Sequence, residues 1–497
     1  MSEYAIFYGD IHNHNGLGYG KGSLERSIDI AKTHLDFFAF TGHAAWHDLV
    51  PMEGGREQHW LDGFRRHNDA WEHIQRLTAA HHRDGEFVHF LGYEWHSSAF
   101  GDHCVVFPAD HQPLYLPDHV EALRRFCTER QALMIPHHIG YPTGNRGVNW
   151  EVFQPDATTP VVEIYSEHGN AEHDRGPRTY FTHSFGGRVT ANTAQAKLHD
   201  GAKFGFVASS DNHRGFPGAY GEGVMAVLAE ELTRDAVMRA VRARRTYALT
   251  GDRIELRLAA NGHEMGMEVP PAEQVEVAYD VAGRDELEMV EFVHDGRTIH
   301  RAFPDEKPPA AGAFADVVQV RLEWGWGPWK DLALDRITDW EMAVHVEGGQ
   351  LRRVFPCLQS GPFSEEKRHR FTRPSANELH VQSYTSRLEA YRENPNQSAV
   401  LEIAGDPATR VRIDMTHPSA SDRTVTLGEL FHGSAHVQTG PFPKESYMLH
   451  RLTPMAASRV LGRAVLDRAD LNLPGYLYLR VTQRNGHLAW SSPWFLS

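Results

Sequence analysis

Through its first 250 residues the chain repeats a single pattern, a short apolar run bounded by turn residues and then a stretch of helical periodicity. The runs cover 5–10, 37–41, 87–94, 132–136, 161–165, 204–209 and 223–228. Between them, 23–35, 56–82, 119–130 and 233–245 carry amphipathic helical spacing, the first and last opening on a Ser and a Thr cap. Apolar runs separated by helices build βαβ units, which leaves a doubly wound sheet or a (β/α) barrel. The polar residues choose between them. They follow the apolar runs at five or more strand ends, and a barrel mouth is where so many strand ends converge.

After Thr250-Gly251-Asp252 the rhythm changes. Short alternating runs at 254–258, 275–279, 289–293, 318–322, 411–415 and 476–481 are separated by Gly, Pro, Asn and Asp, as in antiparallel β-structure. The sequence therefore predicts an α/β domain over 1–251 and a β-rich, sandwich-like domain over 252–497, with no clear pattern from about 355 to 400. A chain of 497 residues exceeds what one hydrophobic core serves, which agrees with two domains.

Of 33 histidines, 22 fall in residues 1–251, which places the chemistry there. In Gly9-Asp10-Ile11-His12-Asn13-His14 the two imidazoles are two apart on an extended segment and share a face, as two ligands of one metal must. Later strand ends supply His43, Glu94, His103, the pair His137-His138, and Asp211 with His213. Neighbours on a strand point to opposite faces, so one of His137 and His138 reaches the site, and His138 is preferred. Imidazole and carboxylate without thiolate suit Zn²⁺, Mn²⁺ or Fe²⁺. A carboxylate such as Glu94 can bridge two ions about 3.5–4 Å apart, where a bound water loses its proton near neutral pH. The three cysteines, Cys104, Cys127 and Cys357, have no disulfide or zinc spacing and read as buried small residues.

GDIHNH, TGH, GYE, DHCVV, PHHIG and SSDNH, in that order, resemble the PHP (polymerase and histidinol phosphatase) superfamily. The closer resemblance, carried also by ARRTYALTGDRI and the terminal YLYLRVTQRNGHLAWSSPWFLS, is to a bacterial branch with a C-terminal β-rich region. It implies a distorted (β/α)7 barrel and a site for two or three divalent ions. By position, His12, His14, Glu94 and Asp211 would hold one ion, and Glu94, His103 and His138 a second. His43 and His213 would belong to a third. A further third-site ligand of the superfamily falls here on Gly20, a departure that predicts two tightly held ions.

Around this set, Glu163, His168 and Glu172 are candidate acids or bases, and Asp10 either orients an imidazole or caps the loop. Arg146, Arg178, Arg188 and Arg214 are candidate anion grips, with Arg214 foremost because it follows His213. Trp324, Trp326, Trp329 and Trp340 read as packing residues before carbohydrate platforms.

A net charge of −15 argues against a nucleic-acid duplex as partner, while bound cations still allow a small anionic substrate. The N-terminus shows no signal-peptide pattern and no window reaches transmembrane length, so a cytoplasmic, membrane-free protein is expected, with homo-oligomers left open. The leading functional expectation is a phosphoesterase that attacks a small phosphorylated metabolite or nucleotide with metal-activated hydroxide. The alternatives are a metal-dependent C–O or C–N hydrolase or lyase acting on a carbohydrate or aromatic compound, and a non-catalytic metal-holding glycan binder.

Overall fold

The computed structural model describes residues 4–180, 187–304, 312–328, 332–333, 335–388 and 396–497. Its first half contains, in order, β1 (Ala5–Asp10), α1 (Leu24–His34), β2 (Phe37–Phe40), β3 (His43–Trp46), α2 (Gln58–Asp69), α3 (Trp71–His81), β4 (Val88–His96) and β5 (His103–Phe107). It continues with α4 (Val120–Glu129), β6 (Leu133–Pro136), β7 (Val161–Ser166), β8 (Gly169–Asn170), α5 (Ala194–His199), β9 (Gly205–Ala208), β10 (Val224–Ala229), α6 (Arg234–Arg242) and β11 (Thr246–Leu249). The caps act as their residue types allow: Ser23 accepts from the Arg26 N–H and Thr233 from the Ala236 N–H. The stretch 56–82, read as one amphipathic unit, is two helices that break at Ala70, where φ −89° and ψ 2° leave the helical range. α2 packs against β3 and α3 against β4, and the break lets each follow its own strand.

The strand order sets the position of the site. β1, β2 and β4 pair in parallel. β5 runs antiparallel to both β4 and β6, so its first residues lie at the same end as the last residues of its neighbours. β7 and β9 pair in parallel in a separate small sheet. The chain leaving β9 then runs beside the chain leaving β1, with Asp211 N–H bonded to His12 O at 2.7 Å and His14 N–H to Asn212 O at 2.9 Å. The ends of β1, β2, β4, β6, β7 and β9 and the start of β5 therefore meet on one side.

The run 223–228 departs from the parallel expectation: β10 lies antiparallel to β1, and β11 antiparallel to β10. A parallel return needs a crossover, usually a helix, and the 209–223 connection is a loop that folds back over the strand ends instead. The fold is mixed α/β and strand-rich, and most of its strand pairs are antiparallel.

In the second half, two antiparallel sheets share one apolar core that includes Val320, Leu322, Trp324, Trp340, Val344, Val381, Leu401 and Ile413. Trp324 and Trp340 are buried there and donate to Ser383 Oγ and Thr385 Oγ1 at 3.0 and 2.8 Å. Trp326 is half-buried and Trp329 lies outside the described residues. The last strands return to the first half: Leu488–Ser491 pairs with β11, and Gly475–Gln483 pairs with Leu488–Ser491. Among the described residues no helix is long and apolar enough to cross a membrane.

A segment of the second half also lies across α1 and the 212–222 loop. Leu358 O accepts from Tyr220 N–H at 2.8 Å, Ser364 O from Arg26 Nε at 2.7 Å, and Asp29 receives Arg368 Nε at 3.2 Å. Two imidazoles sit in this contact, His369 buried and His34 half-buried. Burial and then Arg253 push His34 down to about 3, and burial, His34 and Arg26 push His369 down to about 3. Unfolded, each takes up a proton near the ordinary value of about 6.5. The unfolded state thus binds more protons between about pH 3 and 6.5, and these two groups contribute stability that is complete above that window and lost as pH falls through it. His369→Gln should therefore lose less urea-unfolding midpoint between about pH 7.5 and pH 5 than the parent protein, and equal losses would refute the contribution.

Candidate metal centre

Asp10, the last residue of β1, fixes the backbone of the site. Its carboxylate accepts from His12 N–H, Ser210 N–H, Ser210 Oγ–H and Gly218 N–H at 3.1, 3.2, 2.5 and 2.7 Å, stitching the chain after β1 to the chain after β9. Burial raises this carboxyl to about 6, against the pull of those hydrogen bonds. Asp10 is thus a clamp on the loop and not a donor to the pocket.

The clamp sets His12 and His14 on the face they share with Asp211. Asp211 Oδ1 lies 3.3 Å from His12 Nε2 and 2.9 Å from His14 Nε2, and Oδ2 lies 3.4 Å from His138 Nε2 and 3.1 Å from His168 Nε2. Glu94 forms the second focus. Its Oε2 stands 3.6, 3.4 and 3.3 Å from the Nε2 atoms of His14, His43 and His96, while Oε1 meets His137 Nε2 at 2.7 Å. Glu163 on β7 holds the far side of His12, with Oε2 2.9 Å from Nδ1. His213 stands at the edge, its ring 4.4 Å from that of His14.

The electrostatics are those of a charge-rich pocket that is mostly buried, with His213 at its open edge. Burial alone would raise the Glu94 carboxyl, but His96, His43 and His137 hold it well below the usual carboxylate range. Asp211 is likewise held well below its usual range, because His12 and His168 outweigh its burial. Burial keeps His43 and His14 neutral, His14 being pushed down to about 3 with help from His213. His12 Nε2, Glu94 Oε2, His96 Nε2 and Asp211 Oδ2 are buried and face one another or further imidazoles at 3.1–3.6 Å without well-aligned hydrogen bonds. Donor sets drawn from these residues, among them His12, His14 and Asp211 and also His43, Glu94 and His96, have ligand atoms within 4.8 Å of one another. Imidazole nitrogen and carboxylate oxygen at that spacing fit a divalent transition-metal ion.

Several residues stand elsewhere than the sequence suggested. His103 pairs across the ladder with Trp95 and shares its face, away from Glu94, with Nδ1 on Gly101 O at 3.1 Å. Its neighbours Asp102 and Cys104 take the site-facing positions, a consequence of strand alternation. His138 does reach the site, but so does His137: the strand ends at Pro136 and His138 adopts φ +51°, so the alternation rule no longer applies. Glu172 is consumed by the second half, accepting from Tyr478 Oη, Arg480 Nη1 at 2.9 Å and Trp490 Nε1 at 2.7 Å.

The four arginines are also committed. Arg146 binds Asp102 and stacks over Trp46, Arg178 donates to Gly486 O, Arg188 to the carbonyls of Asn170, Asp174 and Gly176, and Arg214 faces Glu167 at 3.5 Å. His96 and Tyr19 join the site without being singled out by the sequence motifs. His96 was legible, since it stands two residues after Glu94 on the same strand face. Tyr19 stacks on His43 at 3.6 Å from a loop whose course no local pattern reveals. A Cβ at Gly20 would lie 2.9 Å from the carbonyl oxygens of Asn15 and His213, so a side chain has no room there.

Comparison with known proteins gives distant likenesses. A family model described as a protein of unknown function (DUF3604) matches residues 219–282. An uncharacterized protein of Chlamydia pneumoniae is 24% identical over 265 residues, 48% of this chain and 41% of its own length. Another, of Chlamydia muridarum, is 27% identical over 161 residues, 29% of this chain and 26% of its own length. The matched part of the chain thus spans less than half of these curated relatives. Among solved structures, a two-domain protein from Bacteroides vulgatus containing a predicted PHP-like metal-dependent phosphoesterase aligns over 85% of this chain and 95% of its own, with 14% identity and a TM-score of 0.33.

Proposed function

We propose that the protein is a metal-dependent hydrolase, with a small phosphoester as its first candidate substrate. The observation that carries this reading is the buried convergence of imidazole nitrogens and carboxylate oxygens on Glu94 and Asp211, with ligand atoms within 4.8 Å of one another, the donor set of a divalent ion. The reading takes residues 1–251 as a distorted (β/α)7 barrel of the PHP type and 252–497 as a sandwich-like β-domain. Three buried free cysteines accord with a reducing, cytoplasmic setting.

His12, His14 and Asp211 would hold one ion and Glu94, with His43 and His96, another, with His137, His138 and His213 as further donors. When bound, divalent ions supply Lewis-acid polarisation of the scissile group and of the attacking water. The chain supplies the rest. Glu163 accepts from His12 Nδ1 and so turns Nε2 toward Asp211. His168 is 13% exposed where most of the cluster imidazoles are shut in, so a substrate can reach it and it stands as the candidate acid or base. Arg214, next to His213, is the candidate anion grip, and Glu167 at 3.5 Å competes for it.

The second reading, hydrolysis or lysis of a C–O or C–N bond, is favoured by the arginines. All four candidates are engaged by carboxylates or carbonyls, and a phosphate site usually offers guanidinium donors.

Chelator-treated protein should lose hydrolytic turnover and regain it with Zn²⁺ or Mn²⁺. Asp211→Ala should abolish both turnover and metal retention. A panel of phosphomonoesters, phosphodiesters and sugar esters separates the two readings, and full activity in Asp211→Ala would refute both. Glu163→Gln should weaken metal retention by about 10–100-fold through the loosened His12 ring; an unchanged metal titration would remove Glu163 from that role.

A further inference from the structure

The donor sets around Glu94 and Asp211 leave out one atom on the floor of the same pocket. Cys104 stands directly across the β4–β5 ladder from Glu94, so both side chains leave the sheet on the same face. The thiol is buried, with Sγ 3.8 Å from His137 Nδ1 and 3.7 Å from Thr41 Oγ1. His137 therefore addresses the pocket with both ring nitrogens, Nε2 toward Glu94 and Nδ1 toward the sulfur. His12 completes the set: Sγ and one ring nitrogen from each histidine lie within 4.8 Å of one another.

A second observation is independent of the sulfur. His12 is 1% exposed, and its Nε2 lies between Asp211 Oδ1, at 3.3 Å, and this space, with no well-aligned hydrogen bond to either side. Neighbouring ligands of a tetrahedral zinc ion sit about 3.5 Å apart at ordinary bond lengths, so modest closure of the three side chains would let them share an ion.

We propose that Cys104 is a thiolate ligand, and that His12, Cys104 and His137 form a position for a thiophilic divalent ion, Zn²⁺ or Fe²⁺ in preference to Mn²⁺ or Mg²⁺, with His12 Nε2 serving this ion in place of the one at His14 and Asp211. This rests on the metal-hydrolase reading and narrows its metal, because imidazole and carboxylate alone accept all of the first three ions whereas a thiolate discriminates. Binding breaks the S–H bond heterolytically: the electron pair forms the sulfur–metal bond and the proton leaves to solvent, with no change of oxidation state.

Full-length protein reconstituted with Co²⁺ should show a thiolate-to-cobalt charge-transfer band in the near ultraviolet. That band should vanish in Cys104→Ser and persist in Cys127→Ser and Cys357→Ser. X-ray absorption of the zinc-loaded parent, which needs no variant to fold, should show a sulfur neighbour at about 2.3 Å. Bound metal with only nitrogen and oxygen neighbours would overturn the thiolate while leaving the hydrolase reading intact. Failure to retain any Co²⁺ or Zn²⁺ would overturn both.

Discussion

The structure depends on one electrostatic problem, that of keeping two carboxylates and a crowd of imidazoles out of water in a single pocket. Glu94 and Asp211 are 1% and 2% exposed, and most of the histidines around them are as deeply enclosed. Inside a protein an unpaired polar atom is expensive because the low dielectric that strengthens a good interaction also magnifies a missing one. Such a pocket persists only where the surrounding fold over-determines it.

The over-determination comes from backbone more than from side chains. Asp10 binds two loops with four hydrogen bonds, and the antiparallel course of β5 brings the beginning of one strand level with the ends of its neighbours. The donors are then placed by strand geometry, two residues apart on β4 for Glu94 and His96, and two apart after β1 for His12 and His14. Rigid elements place ligands more narrowly than free loops do. This suits a pocket in which a shift of a few tenths of an ångström separates a ligand from a bystander.

Periodicity made much of this readable in advance. The seven apolar runs of the first half coincide with strands to within two residues at either end, because fully buried strands leave a continuous apolar signature. His12, His14, His43, Glu94, His138, Asp211 and His213 come together as their positions at strand ends suggested. What sequence could not convey was direction. Whether β10 returns parallel or antiparallel, whether His103 or its neighbours face inward, and whether His138 leaves the extended conformation depend on loop paths set by distant contacts. Glu172 failed for a related reason. Its partners Tyr478, Arg480 and Trp490 lie some 300 positions away, and no local pattern announces them.

One contact between the halves bears on how the chain can vary. Ser360 donates to Glu222, which in turn accepts from the side chain of Asn212, and Asn212 ties down the N–H groups of Arg214 and Phe216 beside the pocket. A serine in the β-rich half thereby helps fix the loop that carries Asp211 and His213. Drift at either end of this relay is felt at the other, so the two halves of the polypeptide are bound to change in concert, and shuffling one onto a foreign counterpart would detune the pocket without touching any residue that lines it.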